Sequence, residues 1–327
     1  MLDSARTAGV VDRQSMRIVA APTAVYCTGD VRMKRILSIR GGGIRGIIPC
    51  CALVKLEQQL GGLTRDHIDM VAGTSTGALL AAAVAAGIPA AELLKVYTER
   101  SKEVFTPTGI IGKAKQVARG WIYDPANLHK VLVSVFGKSA NLTINECPID
   151  VMIPATSMDG HNWFFVRDNR KNASTTGNWP LLDVATASAS APTYFAPWKI
   201  GTEEFFDGGA GGNANPVYQA AVEAFYYDDF VPAETRIVTL GTGFYPAPSK
   251  APSGLLSTVA WVIDSLLDNG EDDADATVDR HWPEIRQGFN VQMPRDIDMA
   301  DISAIPQLVQ LGQQMAAGID WTKTLSA

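Results

Sequence analysis

Ser38-Ile39-Arg40-Gly41-Gly42-Gly43-Ile44-Arg45-Gly46 and Gly73-Thr74-Ser75-Thr76-Gly77 are two glycine turns, each set between a short apolar run and a longer one. Residues 35–39 and 68–72 have the length and composition of buried strands. Residues 46–60, ended by Gly61-Gly62, and residues 76–86, ended by Gly87, have those of helices. Outward from these units the alternation continues. Residues 151–155 and 163–166 are expected as strands around a polar turn at Asp159-Gly160, and residues 236–240 as another, ending at Gly241. Strands alternating with helices predict an α/β protein with a mostly parallel central sheet.

Composition agrees with a globular chain. Of 327 residues, 46% are hydrophobic and 19% charged, and 28 Lys+Arg against 34 Asp+Glu leave a net charge of −6. That balance excludes a disordered chain and argues against a nucleic-acid partner, which needs a concentrated positive surface. The four cysteines, at 27, 50, 51 and 147, form no CxxC pattern, so neither a disulfide framework nor a cysteine zinc site is expected. Cys50 and Cys51 are expected in the core. No apolar run reaches the ~18–20 residues of a membrane span. Residues 1–33 are expected as an irregular leader, and 34–327 as a single domain. The expected location is cytoplasmic, with peripheral membrane contact compatible with the sequence. The acidic stretch 264–279 lacks calcium-loop spacing and is expected as a solvated face.

The chemistry concentrates at the two turns. Gly73-Thr74-Ser75-Thr76-Gly77 is a G-x-S-x-G in the strand–turn–helix context of a nucleophile elbow, which thrusts a serine out beyond the strand end. Gly41-Gly42-Gly43 opens a helix whose free N–H groups can hold an anion. If the two strands are neighbours, the amides of Gly42, Gly43 and Ile44 lie beside Ser75 as an oxyanion hole. Gly41, Gly43 and Gly46 also spell GxGxxG, with Asp66 and Asp69 about 20 residues on, the spacing of a dinucleotide site. That reading keeps open a nucleotide-binding protein without catalysis. For a base, Glu203-Glu204-Phe205-Phe206-Asp207-Gly208-Gly209 anchors a carboxylate on a glycine turn. The order Ser75, Asp207, His281 would also fit a Ser–Asp–His triad esterase. His281, however, follows the acidic stretch with no turn to place it.

Several of these stretches, in this order, resemble the patatin-like phospholipase family. Gly41-Gly42-Gly43-Ile44-Arg45-Gly46 is similar to its oxyanion loop and Gly73 to Gly77 to its elbow. Ala189 to Phe195, Asp207-Gly208-Gly209 with Asn215-Pro216, and Leu240 to Gly243 resemble its later motifs. The resemblance implies a three-layer α/β/α fold, lipid acyl-ester hydrolysis with no metal or cofactor, and Ser75 and Asp207 as a catalytic dyad. Gly42 and Gly43 are the implied oxyanion donors, with Arg45 beside them. A phospholipid or other acyl ester is the implied substrate, and transient contact with a membrane surface fits it. Lipid turnover and a membrane-degrading effector role both remain open. One position departs: Arg40 stands where the family commonly has Asp, so it is expected to pair with an acid or a phosphate. Burial is expected to raise the pKa of Asp207. Residues 104–111 with Lys113, Lys115, Arg119 and Trp121 fit either a lipid-facing lid or an ordinary packed segment.

Overall fold

A computed structural model describes residues 32–107, 120–169, 171, 175–246 and 273–326. Most of the leader, most of the proposed lid and much of the acidic stretch lie outside the described residues. The elements all fall within the compact unit Met33–Ala327. The strands of its central sheet are β1 Lys34–Ile39, β2 Met70–Gly73, β4 Asp150–Ser157, β5 Asn162–Phe165, β7 Trp198–Ile200, β8 Glu203–Asp207, β9 Thr235–Leu240 and β10 Arg286–Phe289. They run in the order β10-β9-β1-β2-β4-β8-β7, with β5 also paired to β4. From β10 to β4 every pairing is parallel, whereas β5, β7 and β8 add antiparallel. A separate two-stranded sheet pairs β3, Trp121–Tyr123, with β6, Thr193–Phe195.

The strands alternate between two cores. Leu37, Ile39, Val71, Val151, Ile153, Val238 and Leu240 pack in one. Ile36, Met70, Ala72, Met152 and Ile237 pack in the other. Both faces being buried makes these strands continuous apolar runs, as parallel strands must be. The first core is covered by α1 (Ile47–Leu60), α2 (Thr76–Ala86), α3 (Ala90–Glu99), α4 (Ser101–Val104), α5 (Pro125–Phe136), α6 (Leu181–Ser188) and, against α1, α8 (Ile305–Ala317) and α9 (Trp321–Ser326). The second is covered by α7 (Val217–Val222) and residues around Val278, in helical 273–281. This is the expected three-layer arrangement.

Several placements matter for the site. Helix α2 is buried on nearly every side, which its mostly apolar, small-residue sequence allows, and it ends at Gly87 in the left-handed region. Helix α8 crosses α1 closely at Gly312, where a Cβ would lie 2.8 Å from Cys51 Sγ. The Trp321 indole is buried and donates to the Ala52 carbonyl at 3.1 Å. Trp163, Phe165, Trp179 and Phe205 interlock with ring centroids 5.2–6.0 Å apart where β4, β5 and β8 meet. Each such pair contributes about 0.5–1.5 kcal/mol beyond burial, and together they fix β8, whose last residue is Asp207. Among the described residues no helix is long and apolar enough to cross a membrane.

Candidate active site

The two glycine turns lie side by side because β1 and β2 are parallel neighbours, with Ile39 opposite Gly73. The crossing is tight. A Cβ on Gly77 would sit 2.2 Å from the Ile39 carbonyl oxygen, and one on Gly73 2.0 Å from the Gly77 carbonyl oxygen. Glycine is therefore required at both flanks of the elbow. Ser75 itself has φ 56° and ψ −125°, a strained backbone for a residue with a side chain. Such strain costs on the order of 1–3 kcal/mol and persists only where the surroundings enforce it. Here they include the Ser188 hydroxyl, which accepts from the Ser75 amide at 3.1 Å, and the Thr74 hydroxyl, which donates to the Asn213 carbonyl at 2.5 Å.

Asp207 reaches the same point from the other side. Strand β2 pairs with β4 through Ala72 opposite Met152, and β8 pairs with β4 through Asp207 opposite Ala155. Three residues beyond each member of the first pair lie Ser75 and Ala155, so the register carries Ser75 level with Asp207 across β4. The Asp207 carboxyl is fully buried, accepts from the Gly209 amide at 2.8 Å and interacts with the Ser75 hydroxyl. Its Oδ2 is buried without a hydrogen-bond partner in the described residues. Burial pushes the carboxyl up to about 7, against the opposing pull of the Ser75 and Gly209 hydrogen bonds. The direction is the one expected from sequence. An oxygen that takes up a proton near neutrality beside a hydroxyl can serve as a general base.

The glycine loop is held from three sides. The Gly41 amide donates to the Ala214 carbonyl at 2.9 Å, and its carbonyl accepts from the Thr242 hydroxyl at 2.5 Å. A Cβ on Gly42, whose φ is 150°, would meet Thr242 Oγ1 at 2.4 Å. The expectation of three oxyanion amides needs correction. The Ile44 amide donates to the Met299 carbonyl at 2.8 Å and is spent there. Among the described residues the Gly42 and Gly43 amides have no protein acceptor, which leaves those two for an oxyanion. Arg45 is buried and turns its Nε onto the Gly42 carbonyl at 3.3 Å. It braces the loop's own backbone. Arg40 Nη2 meets Asp275 Oδ2 at 2.6 Å, so it pairs with an acid, one of the two partners expected.

Ser75, Gly43 and Ile44 line a cavity of about 630 Å³, counted to its open mouth. Leu79, Leu93, Val96, Leu128, Leu132 and Phe195 supply much of its apolar wall. An apolar wall suits an acyl chain better than a nucleotide. Tyr97, from α3, shares a hydrogen bond with the Thr76 hydroxyl at the elbow. Neither Tyr97 nor Ser188 stands out in the sequence. Each lies on a separate helix, and no local pattern marks it.

The four histidines are engaged elsewhere. His281 is exposed, lies 2.9 Å from the Thr277 carbonyl through Nδ1, and packs its ring on Tyr218 and Trp282. His129 stacks on Trp198 and contacts Asp183, His67 meets the Gly61 carbonyl, and His161 pairs with Asp159. These engagements turn all four rings to groups other than Ser75 and Asp207, which removes the geometric basis for the triad reading. The dinucleotide reading also loses its acids: Asp66 accepts from the Leu63 amide at 2.8 Å in the turn before β2. Asp69 lies at the start of β2, accepting from the Arg35 amide at 3.0 Å and from Lys34, at the strand end opposite the glycine loop. Among the described residues no group of His, Cys, Asp and Glu is arranged to hold a metal.

Known proteins are similar to this chain in sequence. The family model for patatin-like phospholipase matches residues 37–221. The chain is 31% identical over 240 residues to a cGAMP-activated phospholipase of Escherichia coli, covering 69% of this chain and 66% of that protein. It is 31% identical over 229 residues to a cGAMP-activated phospholipase of Vibrio cholerae, covering 64% of each. The matched region thus spans slightly less than two thirds of these curated relatives. Among solved structures, VipD from Legionella pneumophila aligns with 90% of this chain and 67% of its own at a TM-score of 0.46 and 12% identity.

Proposed function

The chain belongs to the patatin-like phospholipase family, and we propose that it is a lipid acyl hydrolase of the phospholipase A or lysophospholipase type, acting through Ser75 and Asp207. The observation that carries this reading is the buried Asp207 carboxyl, raised to about 7, against a serine on a strained elbow. In the reaction Asp207 accepts the Ser75 proton as Ser75 Oγ attacks the acyl carbonyl. The oxyanion forms against the Gly42 and Gly43 amides, each such donor being worth roughly 2.7–4 kcal/mol of barrier. Asp207 then returns the proton to the departing alcohol or lysolipid. Water, deprotonated by the same carboxylate, releases the acyl group and regenerates Ser75. The acyl chain occupies the apolar cavity behind the elbow. Neither histidine nor metal enters these steps. The substrate is a phospholipid or related acyl ester met at a membrane surface from the cytoplasm.

Hydrolysis of p-nitrophenyl esters and of phospholipid vesicles tests this, with wild type, Ser75→Ala, Asp207→Asn and His281→Ala run side by side. Activity is expected in wild type and His281→Ala and lost in the other two. The vesicle arm distinguishes a phospholipase from a general esterase. A parallel arm with cGAMP tests whether this chain shares the activation for which its relatives are named. Wild type inert in every arm, or His281→Ala inert, would overturn the reading.

A further inference from the structure

Arg40, immediately before the three glycines, is buried, and its partner is 235 residues away. Asp275, on helical 273–281, accepts from Arg40 Nη2 at 2.6 Å and from Arg286 Nη1 at 2.8 Å through Oδ2. Its Oδ1 accepts from Asn215 Nδ2 at 2.8 Å. Arg286, on β10, also contacts the Thr239 hydroxyl on β9 and both carboxyl oxygens of Asp279. Two guanidinium groups and two carboxylates thus form a neutral, closely packed network.

What this one carboxylate joins matters more than its charge. Arg40 leads into the loop that holds Gly42 and Gly43. Asn215 ends the loop that starts at Asp207 and passes Asn213 and Ala214. Those two carbonyls accept from the Thr74 hydroxyl of the elbow and from the Gly41 amide. Both loops of the catalytic arrangement are therefore tied, just beyond their working parts, to the same carboxyl group. We propose that Asp275 is a positioning residue, which through Arg40 and Asn215 holds the glycine loop and the Asp207 loop in register for the reaction. The inference rests on the reading of Ser75, Asp207, Gly42 and Gly43 given above. It concerns the departure at Arg40: the basic residue before the glycines works because an acid from a distant helix meets it.

Removing the Asp275 charge leaves Arg40 and Arg286 facing each other without their shared carboxylate, and loosens Asn215. The two loops then gain freedom relative to each other while the apolar cavity is untouched. Displacement of reacting groups by about 1 Å costs up to about a hundredfold in rate. Asp275→Asn is therefore expected to lower kcat on a short-chain p-nitrophenyl ester about tenfold or more, with KM changed less than about twofold. Arg40→Met, which keeps the stem but no charge, is expected to behave alike, and the double variant to be no worse than either single one.

Hydrogen exchange followed by mass spectrometry supplies a readout independent of catalysis. In both single variants, peptides covering residues 40–46 and 208–216 are expected to exchange faster together, with α1 and α2 beyond their first turns unchanged. Unaltered exchange in either peptide of folded Asp275→Asn and Arg40→Met would overturn the proposal. So would additive losses of kcat in the double variant. If wild type hydrolyses no ester, the functional reading fails, and the exchange measurement still decides whether Asp275 couples the two loops. If Asp275→Asn does not fold, Arg40→Met decides it.

Discussion

Replacing Asp207 by Asn should abolish activity and, above neutral pH, make the protein more stable relative to wild type than it is in acid. The Asp207 carboxyl is raised from 3.8 to about 7, with burial the leading cause. The folded protein thus binds this proton more tightly than the unfolded chain does. Its contribution to stability is full below pH 3.8, falls through the window up to about 7, and is level above that. One pH unit in that window corresponds to about 1.4 kcal/mol. Between about pH 5 and pH 8 wild type is therefore expected to lose about 3 kcal/mol from this group. The substituted amide carries no charge and loses nothing over the same range. It does bring an NH2 or carbonyl group to the position of the unpartnered Oδ2, at a pH-independent cost of about 1–3 kcal/mol. Urea unfolding of both proteins across this range reads the difference directly. The gap should move about 3 kcal/mol in favour of Asp207→Asn as the pH rises. Parallel curves would refute the reasoning, because they would mean that Asp207 ionises alike in the folded and unfolded chains.

Other consequences can be checked alongside. Since the base works ionised, kcat/KM should rise with pH through an inflection near 7 and then level; an inflection near the ordinary carboxylate value would contradict the raised Asp207. Gly77→Ala places a Cβ 2.2 Å from the Ile39 carbonyl oxygen, so thermal unfolding should show severe loss of stability or no folded protein; a stable, active variant would refute the tight crossing. Val96→Phe adds bulk to the half-buried cavity wall and should cut hydrolysis of long-chain esters about tenfold while sparing acetate. An equal effect on both chain lengths would remove the cavity as the acyl site.

Much of the fold is legible wherever backbone geometry dictates residue type. Both ends of α2 can be read from sequence, because the elbow glycines and Gly87 are each demanded by a close approach or a left-handed turn. The central strands are visible as apolar runs to within a residue or two, since both their faces are buried. The shortest strands are not. β7, on the antiparallel edge, and β6, in the separate two-stranded sheet, have three residues each and expose part of their length, leaving too few alternations to recognise. In β8 the sequence signal is the Asp-Gly turn and not the strand.

The site divides the same way. Ser75, Asp207 and the glycines stand out through their turns. The Ile44 amide, by contrast, is spent on the carbonyl of Met299, and Arg40 is matched by Asp275. Both partners come from the far end of the chain, where local sequence carries no record of the contact.

The most direct test of the account traps the nucleophile. Wild type, Asp207→Asn and His281→Ala would be treated with a fluorophosphonate and mapped by peptide mass spectrometry, with Ser75→Ala as the control. The account predicts a single adduct on Ser75, formed at comparable rates in wild type and His281→Ala and suppressed in Asp207→Asn. An adduct on another residue, undiminished labelling in Asp207→Asn, or labelling that depends on His281 would contradict a Ser75–Asp207 dyad.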